Sequence, residues 1–230
     1  MSRLATSFVL GYHGCDREVA EEIINHKRTF TPSDTKYDWI GPGIYFWESD
    51  PQRALEWAKE HRRKYPNPAV IGAVIDLGNC LDLTNREDLD LLKDAHDSYI
   101  NEQKKAGLEA AENKNVPGKP DRERLLRYLD CAVMIHLHDI IENQPTGPNR
   151  LAPYDTVRGM FTEGGELYPG AGFQRKSHTQ ISVINQKSIK GLFFPLYYGA
   201  IGRLTATTES TQNNETLRQK ICRARRVASG

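Results

Sequence analysis

Short apolar segments bounded by glycine and proline are the feature that most limits how this chain can fold. Near both ends of the 230 residues, apolar runs of a few residues alternate with stretches rich in Gly, Pro, Ser and Asp. Runs this short predict buried β-strands rather than helices. We expect strands at residues 7–12, 44–47, 180–184 and 191–194, and one more within 69–83. Residues far apart in the sequence must then meet in one sheet.

Two capping patterns predict helices directly after the first two strands. Asp16 is a good N-cap, and apolar residues follow it at helical spacing. Ser49 or Asp50 can cap the second helix, because Pro51 suits a first helical turn. Each of these two predicted strands therefore leads into a helix.

The middle of the chain is predicted to be mostly helical. Apolar residues recur at helical spacing within residues 89–111 and 123–142. Between and after them, residues 113–121 and 143–158 are rich in Pro, Gly and Asn and are interpreted as loops. The fold class expected from these patterns is α+β, with residues 85–143 as a helical insertion.

Composition excludes several classes of protein. The chain has 31 Lys and Arg against 30 Asp and Glu, so its bulk charge of +1 points to no partner. No apolar stretch approaches the ~18 residues that a membrane helix needs. The four cysteines have no C-x-x-C spacing, and the N-terminus lacks a signal-peptide core. We expect a cytoplasmic protein with reduced thiols and no metal site.

The end of the chain differs from the rest in composition. Residues 205–216 are polar, and residues 218–226 contain five Lys or Arg and no acid. We predict a globular domain over residues 1–204 and a polar linker with a basic tail over residues 205–230. The tail is either a solvated end or short basic helix, or a site for an acidic protein or a nucleic-acid phosphate.

Three short motifs lie at or beside predicted strands. They are Leu-Gly-Tyr-His-Gly at residues 10–14, Gly-Pro-Gly-Ile-Tyr-Phe at 41–46 and Ser-His-Thr-Gln-Ile-Ser-Val-Ile-Asn at 177–185. Loops held by a sheet are where functional sites usually lie. We therefore expect the three motifs to meet at one cleft.

The order and spacing of these motifs resemble the ADP-ribosyltransferase superfamily. The closer branch is that of diphtheria toxin and poly(ADP-ribose) polymerases, which is marked by a His, a Tyr and a Glu or other polar residue. Residues 43–46 look like its second motif, and residues 180–185 look like its third motif with Gln180 where Glu is commonest. The resemblance covers roughly residues 8–60 and 155–196. It implies a split antiparallel β-sandwich and NAD as a substrate.

The resemblance also implies roles for individual residues. His13 would bind the adenosine-side ribose through a donor nitrogen, and the backbone of Gly14 would approach the nicotinamide carboxamide. Tyr45 would stack on the nicotinamide ring, and Trp57 could form a second wall. Because side chains alternate along a strand, Phe46 should then lie on the opposite face from Tyr45.

Gln180 departs from the family pattern in a way that affects the chemistry. In the family, the Glu binds the nicotinamide ribose and stabilises the positive charge that develops as the glycosidic bond breaks. An amide can orient the ribose but carries no charge, which costs roughly 1–2 kcal/mol of transition-state stabilisation. The departure argues against chain-elongating synthesis and is compatible with a single transfer.

The loop before the third motif would present the acceptor in such a fold. Glu163 or Glu166 could take the proton of the acceptor, or each could be a solvated loop acid. Phe173 and Arg175 could stack on and hold a nucleobase, or the aromatic side chains could bury themselves in the loop.

The function implied by the resemblance is NAD-dependent mono-ADP-ribosylation of a macromolecule. The basic tail and the basic, aromatic loop favour RNA or DNA over protein as the acceptor. Compact relatives of this type look like toxins of toxin–antitoxin or phage-defence modules, so an antitoxin protein is expected as a partner. NAD hydrolysis by a glycohydrolase, and a non-catalytic module that binds NAD or ADP-ribose, are the alternatives.

Overall fold

The computed structural model describes residues 8–118, 123–145, 147, 148 and 150–196. The predicted linker and basic tail over residues 205–230 lie outside these described residues. By its contacts the chain divides into two units, Met1–Phe194 and Pro195–Gly230, and every described helix and strand lies in the first. Among the described residues, no helix combines the length and apolar composition needed to cross a membrane.

The described residues of the first unit form seven strands and four α-helices, which confirms the α+β expectation. The strands are β1 (Phe8–Asp16), β2 (Ile44–Glu48), β3 (Pro68–Asp76), β4 (Cys80–Asp82), β5 (Thr156–Phe161), β6 (His178–Val183) and β7 (Ile189–Phe193). The helices are α1 (Arg17–Ile24), α2 (Pro51–Glu60), α3 (Arg86–Ala106) and α4 (Tyr128–Glu142). The strands form one sheet in the order β4-β5-β6-β2-β1-β3-β7, antiparallel except for the parallel pair β4 and β5.

The two predicted helix caps are confirmed. The Asp16 side chain accepts a hydrogen bond from the backbone N–H of Glu18, and the Asp50 side chain accepts one from the N–H of Arg53. Strand β1 runs further than the expected residues 7–12, because it pairs with β3 along its whole length. The first helix therefore begins directly at the end of the strand.

Strand β5 corrects the prediction of a loop over residues 143–158. Its segment contains Arg158 and Gly159, which weaken the apolar pattern of a buried strand. The glycine is required by packing, because a Cβ there would lie 2.7 Å from Cη2 of Trp39. Gly159 therefore both weakens the strand pattern in the sequence and lets the indole ring of Trp39 cross the strand.

Helix α4 begins later than the predicted residue 123. Leu126 pairs with Lys114 through two backbone hydrogen bonds in an isolated bridge, so this part of the apolar run is extended. The helix then starts at Tyr128 without a side-chain N-cap. The first part of the apolar run that predicted this helix is therefore extended, and only the part from Tyr128 onward is helical.

Two buried clusters fill the interior. One cluster packs α1 against β1, β2, β3 and β6, and the other packs α3 and α4 against β4 and β5. Phe46 belongs to the first cluster and Tyr45 packs against the second, which confirms that they lie on opposite faces of β2. The helices of the 85–143 region thus pack on the sheet through a shared core.

The sheet is held weakly between β1 and β2. These strands pair only where Gly11 lies opposite Glu48 and Tyr12 lies opposite Trp47. Beyond this point, residues 13–16 of β1 remain paired with β3, while β2 pairs with β6. The two strands therefore separate, and the sheet opens between them.

Candidate functional site

A cavity of about 820 Å³ lies where β1 and β2 separate. Five of the predicted site residues line it: His13, Tyr45, Trp57, Glu163 and Gln180. The other four are not part of its wall: Gly14, Glu166, Phe173 and Arg175. The volume lies within the usual range for small-molecule sites.

Strand alternation explains why side chains from β2 and β6 face the cavity together. Tyr45 and Trp47 are two residues apart on β2, and His178 and Gln180 are two apart on β6, so each pair shares a face. Trp47 lies directly opposite Gln180 in the antiparallel pairing. All four side chains line the cavity.

His13 links the two strands across the opening. Its Nδ1–H donates to the carbonyl oxygen of Tyr45 at 2.8 Å, and its ring contacts those of Phe30 and Phe46. Burial lowers the pKa of His13, the hydrogen bond to Tyr45 raises it, and the charge of Lys64 lowers it further. With its Nδ1–H held by this carbonyl, a neutral ring offers Nε2 as an acceptor. Binding of a ribose hydroxyl by His13 stays a prediction.

Tyr45 is fixed by the turn that precedes its strand. Its hydroxyl donates to the carbonyl oxygen of Gly41 at 2.8 Å and accepts from the N–H of Ile40 at 3.3 Å. Burial is the main reason that the pKa of Tyr45 is raised well above its ordinary value. The hydroxyl stays protonated and the ring holds one orientation beside the cavity.

Gln180 is oriented by Trp39, a residue that the motifs did not single out. The indole N–H can only donate, so the amide Oε1 of Gln180 is the atom that accepts its hydrogen bond at 2.6 Å. The indole crosses β5 at Gly159 and contacts the ring of Phe161, with 5.1 Å between ring centres. Within the part of the chain that the structure describes, the amide NH₂ and the second lone pair of Oε1 have no hydrogen-bond partner.

A buried ion pair brings one of the two candidate acids into the cavity. Nε and Nη2 of Arg53 both donate to Oε1 of Glu163, at 3.2 and 2.5 Å. The exposed fractions of the two side chains are only 7% and 14%. Arg53 was not predicted, although its spacing of four residues from Trp57 places both on one face of α2.

Glu166 has a structural role instead. Its carboxylate accepts a hydrogen bond from the backbone N–H of Gly170 at 2.8 Å. It lies in a hairpin over residues 164–176 that is closed by a bridge between Glu166 and Gln174. Of the two acids proposed from the sequence, only Glu163 lies in the cavity.

Phe173 and Arg175 lie on the same hairpin, outside the cavity. Nε of Arg175 donates to the backbone carbonyl of Glu166 at 3.0 Å, which braces the hairpin. The Phe173 side chain is 69% exposed, so the alternative that it is buried within the loop is wrong. Stacking of this ring on a nucleobase stays a prediction.

His178 is a further cavity residue that the sequence patterns did not identify as functional. Its Nδ1–H donates to the carbonyl oxygen of Lys176 at 2.6 Å, and its ring lies near those of Trp47 and Phe161. Burial is the main cause of its lowered pKa. A neutral ring therefore closes this side of the cavity.

Gly14 is required by packing. A Cβ at this position would lie 2.2 Å from the backbone oxygen of Ala54 in α2. The glycine therefore lets α2 approach β1 closely. Because α2 carries Arg53 and Trp57, this contact sets where both residues meet the cavity.

Trp57 lines the cavity as the centre of an aromatic group. Its ring centre lies 4.4 Å from that of His61 and 5.6 Å from that of Tyr65. Part of its surface is therefore already covered. The three rings form one wall of the cavity.

The thiol of Cys15 lies in the cavity wall but is unsuited to nucleophilic attack. Burial is the largest cause that raises its pKa to about 12, with Asp16 raising it further and Arg28 lowering it. A thiol with this pKa is almost fully protonated near neutral pH. Among the described residues, no three His, Cys, Asp or Glu side chains are placed to hold a metal ion.

Comparisons with known proteins find a relative that matches part of this chain. No family model matches the chain, and no solved structure matches it. A protein of Methanocaldococcus jannaschii, named "Uncharacterized protein MJ0359", is 31% identical over 156 residues. The match covers 65% of this chain and 63% of the relative, so the chain spans less than two thirds of the relative's length. The function of the cavity must be argued from its chemistry.

Proposed function

We propose that this protein is an NAD-dependent mono-ADP-ribosyltransferase with the split-sheet fold of that superfamily. The observation that carries the proposal is that His13, Tyr45 and Gln180, from three different strands, line one cavity. The minimal pairing between β1 and β2 supports a split sheet, because it opens the cavity between those strands. NAD is the substrate and no metal takes part.

The described side chains suit the binding of NAD. The fixed ring of Tyr45 offers an aromatic surface to the nicotinamide ring. Nε2 of the neutral His13 accepts a hydrogen bond from a ribose hydroxyl. Gln180 binds the nicotinamide ribose through the NH₂ group and the second lone pair that Trp39 leaves available.

The proposed reaction breaks the bond between the nicotinamide nitrogen and C1 of its ribose. Both electrons leave with nicotinamide, which departs as a neutral molecule, and positive charge develops on the ribose. Gln180 stabilises that charge only through its dipole, so most of the driving force comes from the leaving group, which is already cationic in NAD.

The acceptor completes the reaction by attacking C1 of the ribose. Its nucleophilic atom forms the new bond and gives up a proton to the carboxylate of Glu163, a residue that lines the cavity. Arg53 holds this carboxylate in position. A single transfer fits the neutral Gln180 better than repeated transfer onto a growing chain.

We also propose that the protein acts in the cytoplasm as a toxin of a toxin–antitoxin or phage-defence module. Modification of a cellular macromolecule would stop growth, so an antitoxin protein must block the cavity in resting cells. RNA or DNA is preferred to protein as the acceptor.

Radiolabelled NAD tests the activity directly. The full chain is incubated with NAD labelled in the adenylate phosphate, together with RNA, DNA or cell lysate. We expect label on a macromolecule, and we expect Gln180→Ala to lower it strongly while the thermal unfolding midpoint stays unchanged. Free ADP-ribose alone would indicate a glycohydrolase, and NAD binding without turnover would indicate a binding module; either result contradicts the proposal.

A further inference from the structure

The turn at the end of α2 is strongly basic and unbalanced by acids. Residues 59–64 contain four cations and one acid, Glu60. In the described part of the chain, Lys59, Arg62 and Arg63 have no carboxylate within ion-pair distance, and all three are exposed. Glu60 is occupied by Lys176, whose Nζ lies 2.7 Å from its Oε1.

Aromatic residues connect this basic turn to the cavity. His61 and Tyr65 lie within and directly after the turn, and both rings contact Trp57. Nζ of Lys64 lies 5.3 Å from the centre of the Tyr65 ring. These residues also line the cavity: Trp57, His61, Lys64 and Tyr65. The basic turn is therefore continuous with an aromatic wall of the cavity.

The hairpin over residues 164–176 extends the same surface. Its base is joined to the end of α2 by the ion pair between Lys176 and Glu60. Its tip carries two exposed aromatic side chains, Tyr168 at 55% and Phe173 at 69%. The end of α2 is thus joined to a hairpin that carries exposed aromatic rings.

We propose that the basic turn, residues 59–64, together with Tyr65 directly after it, binds single-stranded nucleic acid. This inference rests on the proposed function and names the acceptor for it. Exposed cations attract phosphates of any sequence, while the rings of His61 and Tyr65 stack on an unpaired base beside the cavity. A base must be unstacked to meet such a wall, so a single strand fits and a duplex does not.

Fluorescence anisotropy with labelled single strands of about ten nucleotides tests the inference on the full chain. The variant is Arg62→Gln with Arg63→Gln, and the matched control is Lys104→Gln with Lys105→Gln, two exposed cations in the last turn of α3. We expect the first variant to bind about tenfold more weakly. The slope of log affinity against log salt concentration should fall by the equivalent of at least one phosphate contact. We expect the control to bind like the unmodified chain.

Tyr65→Leu separates stacking from charge. We expect its affinity for a single strand to fall about tenfold with the salt dependence unchanged, because stacking releases no counterions. The inference would be overturned if the chain bound no single strand, or bound a duplex more tightly than a single strand. It would also be overturned if the Arg62/Arg63 variant bound single strands as tightly as the unmodified chain.

Titration of the same preparation with NAD keeps the two proposals distinguishable. Transfer of label from NAD to a macromolecule, without binding of nucleic acid, would overturn the basic-turn inference. It would leave the transferase activity standing and point to protein as the acceptor. The opposite result is that single strands bind in a way that depends on Arg62 and Arg63, while NAD does not bind. That result would support the inference about the basic turn and contradict the proposed function.

Discussion

The hydrogen bond between Trp39 and Gln180 decides which atoms of Gln180 face a ligand in the cavity. Because an indole N–H only donates, Trp39 binds the amide oxygen of Gln180 and not its NH₂ group. The NH₂ group therefore points away from Trp39. A carboxylate at the same position could accept the same bond and would add a negative charge. The identity of residue 180 therefore sets how much positive charge the site can stabilise.

Gln180→Glu should accelerate the release of nicotinamide from NAD. The added charge is worth roughly 1–2 kcal/mol at the transition state, which corresponds to about a tenfold higher rate. The measurement is the initial rate of nicotinamide formation, with Gln186→Glu as a control that adds the same charge at an exposed position. An unchanged rate in Gln180→Glu, with NAD still bound, would mean that residue 180 does not face the reacting ribose.

The lowered pKa of His13 makes stability depend on pH. Burial keeps the ring neutral in the folded chain, whereas the unfolded chain takes up a proton near the ordinary value of 6.5. The unfolded state therefore binds more protons, and the free energy of unfolding must fall as the pH drops below 6.5 toward the lower pKa of the folded state.

Urea denaturation above and below that pH measures the effect. We expect His13→Gln to weaken the dependence on pH and His26→Asn, at an exposed position, to preserve it. An identical pH dependence in the His13 variant and the unmodified chain would show that this ring is not held neutral by the fold.

At the scale of elements, the close contact between β1 and α2 positions much of the site. Gly14 leaves room for the backbone of α2, and that helix carries Arg53 and Trp57 to the cavity and ends at the basic turn. A small change at this contact should therefore affect both stability and the shape of the cavity wall.

Gly14→Ala should destabilise the fold by about 2 kcal/mol, because its methyl group would overlap the Ala54 carbonyl. The free energy of unfolding from urea titration measures this loss. Gly172→Ala is the matched control, since no atom lies within 4 Å of the added Cβ there, and a change within about 0.5 kcal/mol is expected. Equal stability of both variants would contradict the packing role of Gly14.

Local patterns were sufficient to predict the helix starts after Asp16 and Asp50, because a cap acts within one turn. They also predicted the opposite faces of Tyr45 and Phe46. Strand β5 was missed because its pairing with β4 and β6 is set by distant residues, and Gly159 breaks its apolar run. A contact made across the sheet leaves no periodicity in the segment itself.

The site followed the same rule. His13, Tyr45 and Gln180 could be proposed because each lies in a short motif with a recognisable order. Arg53 and Trp39 act through partners 110 and 141 residues away in the sequence, Glu163 and Gln180. Such pairs carry no local pattern that could reveal them in a single sequence.

At the scale of the whole molecule, the sheet joins two cores and opens between them at the point of weakest pairing. The rim of this opening carries the basic turn, and its interior carries the candidate catalytic residues. One unit of the chain thus carries both the proposed NAD site and the proposed surface for a nucleic-acid acceptor.

Expression of the chain in a bacterial host should arrest growth if the toxin proposal is right. Tyr45→Ala should restore growth at an equal protein level, because it removes the ring proposed to bind nicotinamide. Growth curves with protein levels checked by immunoblotting provide the measurement. Persistent arrest in the variant would remove the toxin proposal.

All three tryptophans of the chain, Trp39, Trp47 and Trp57, line the cavity, so their fluorescence reports directly on its occupation. Titration of the purified full chain with NAD is therefore the most direct test of the claim that this cavity binds the dinucleotide. We predict a saturable change in tryptophan emission that Tyr45→Ala shifts to about tenfold higher NAD concentration. The claim that this cavity binds NAD would be contradicted if the emission stayed constant up to millimolar NAD. It would also be contradicted if the emission changed identically in Tyr45→Ala.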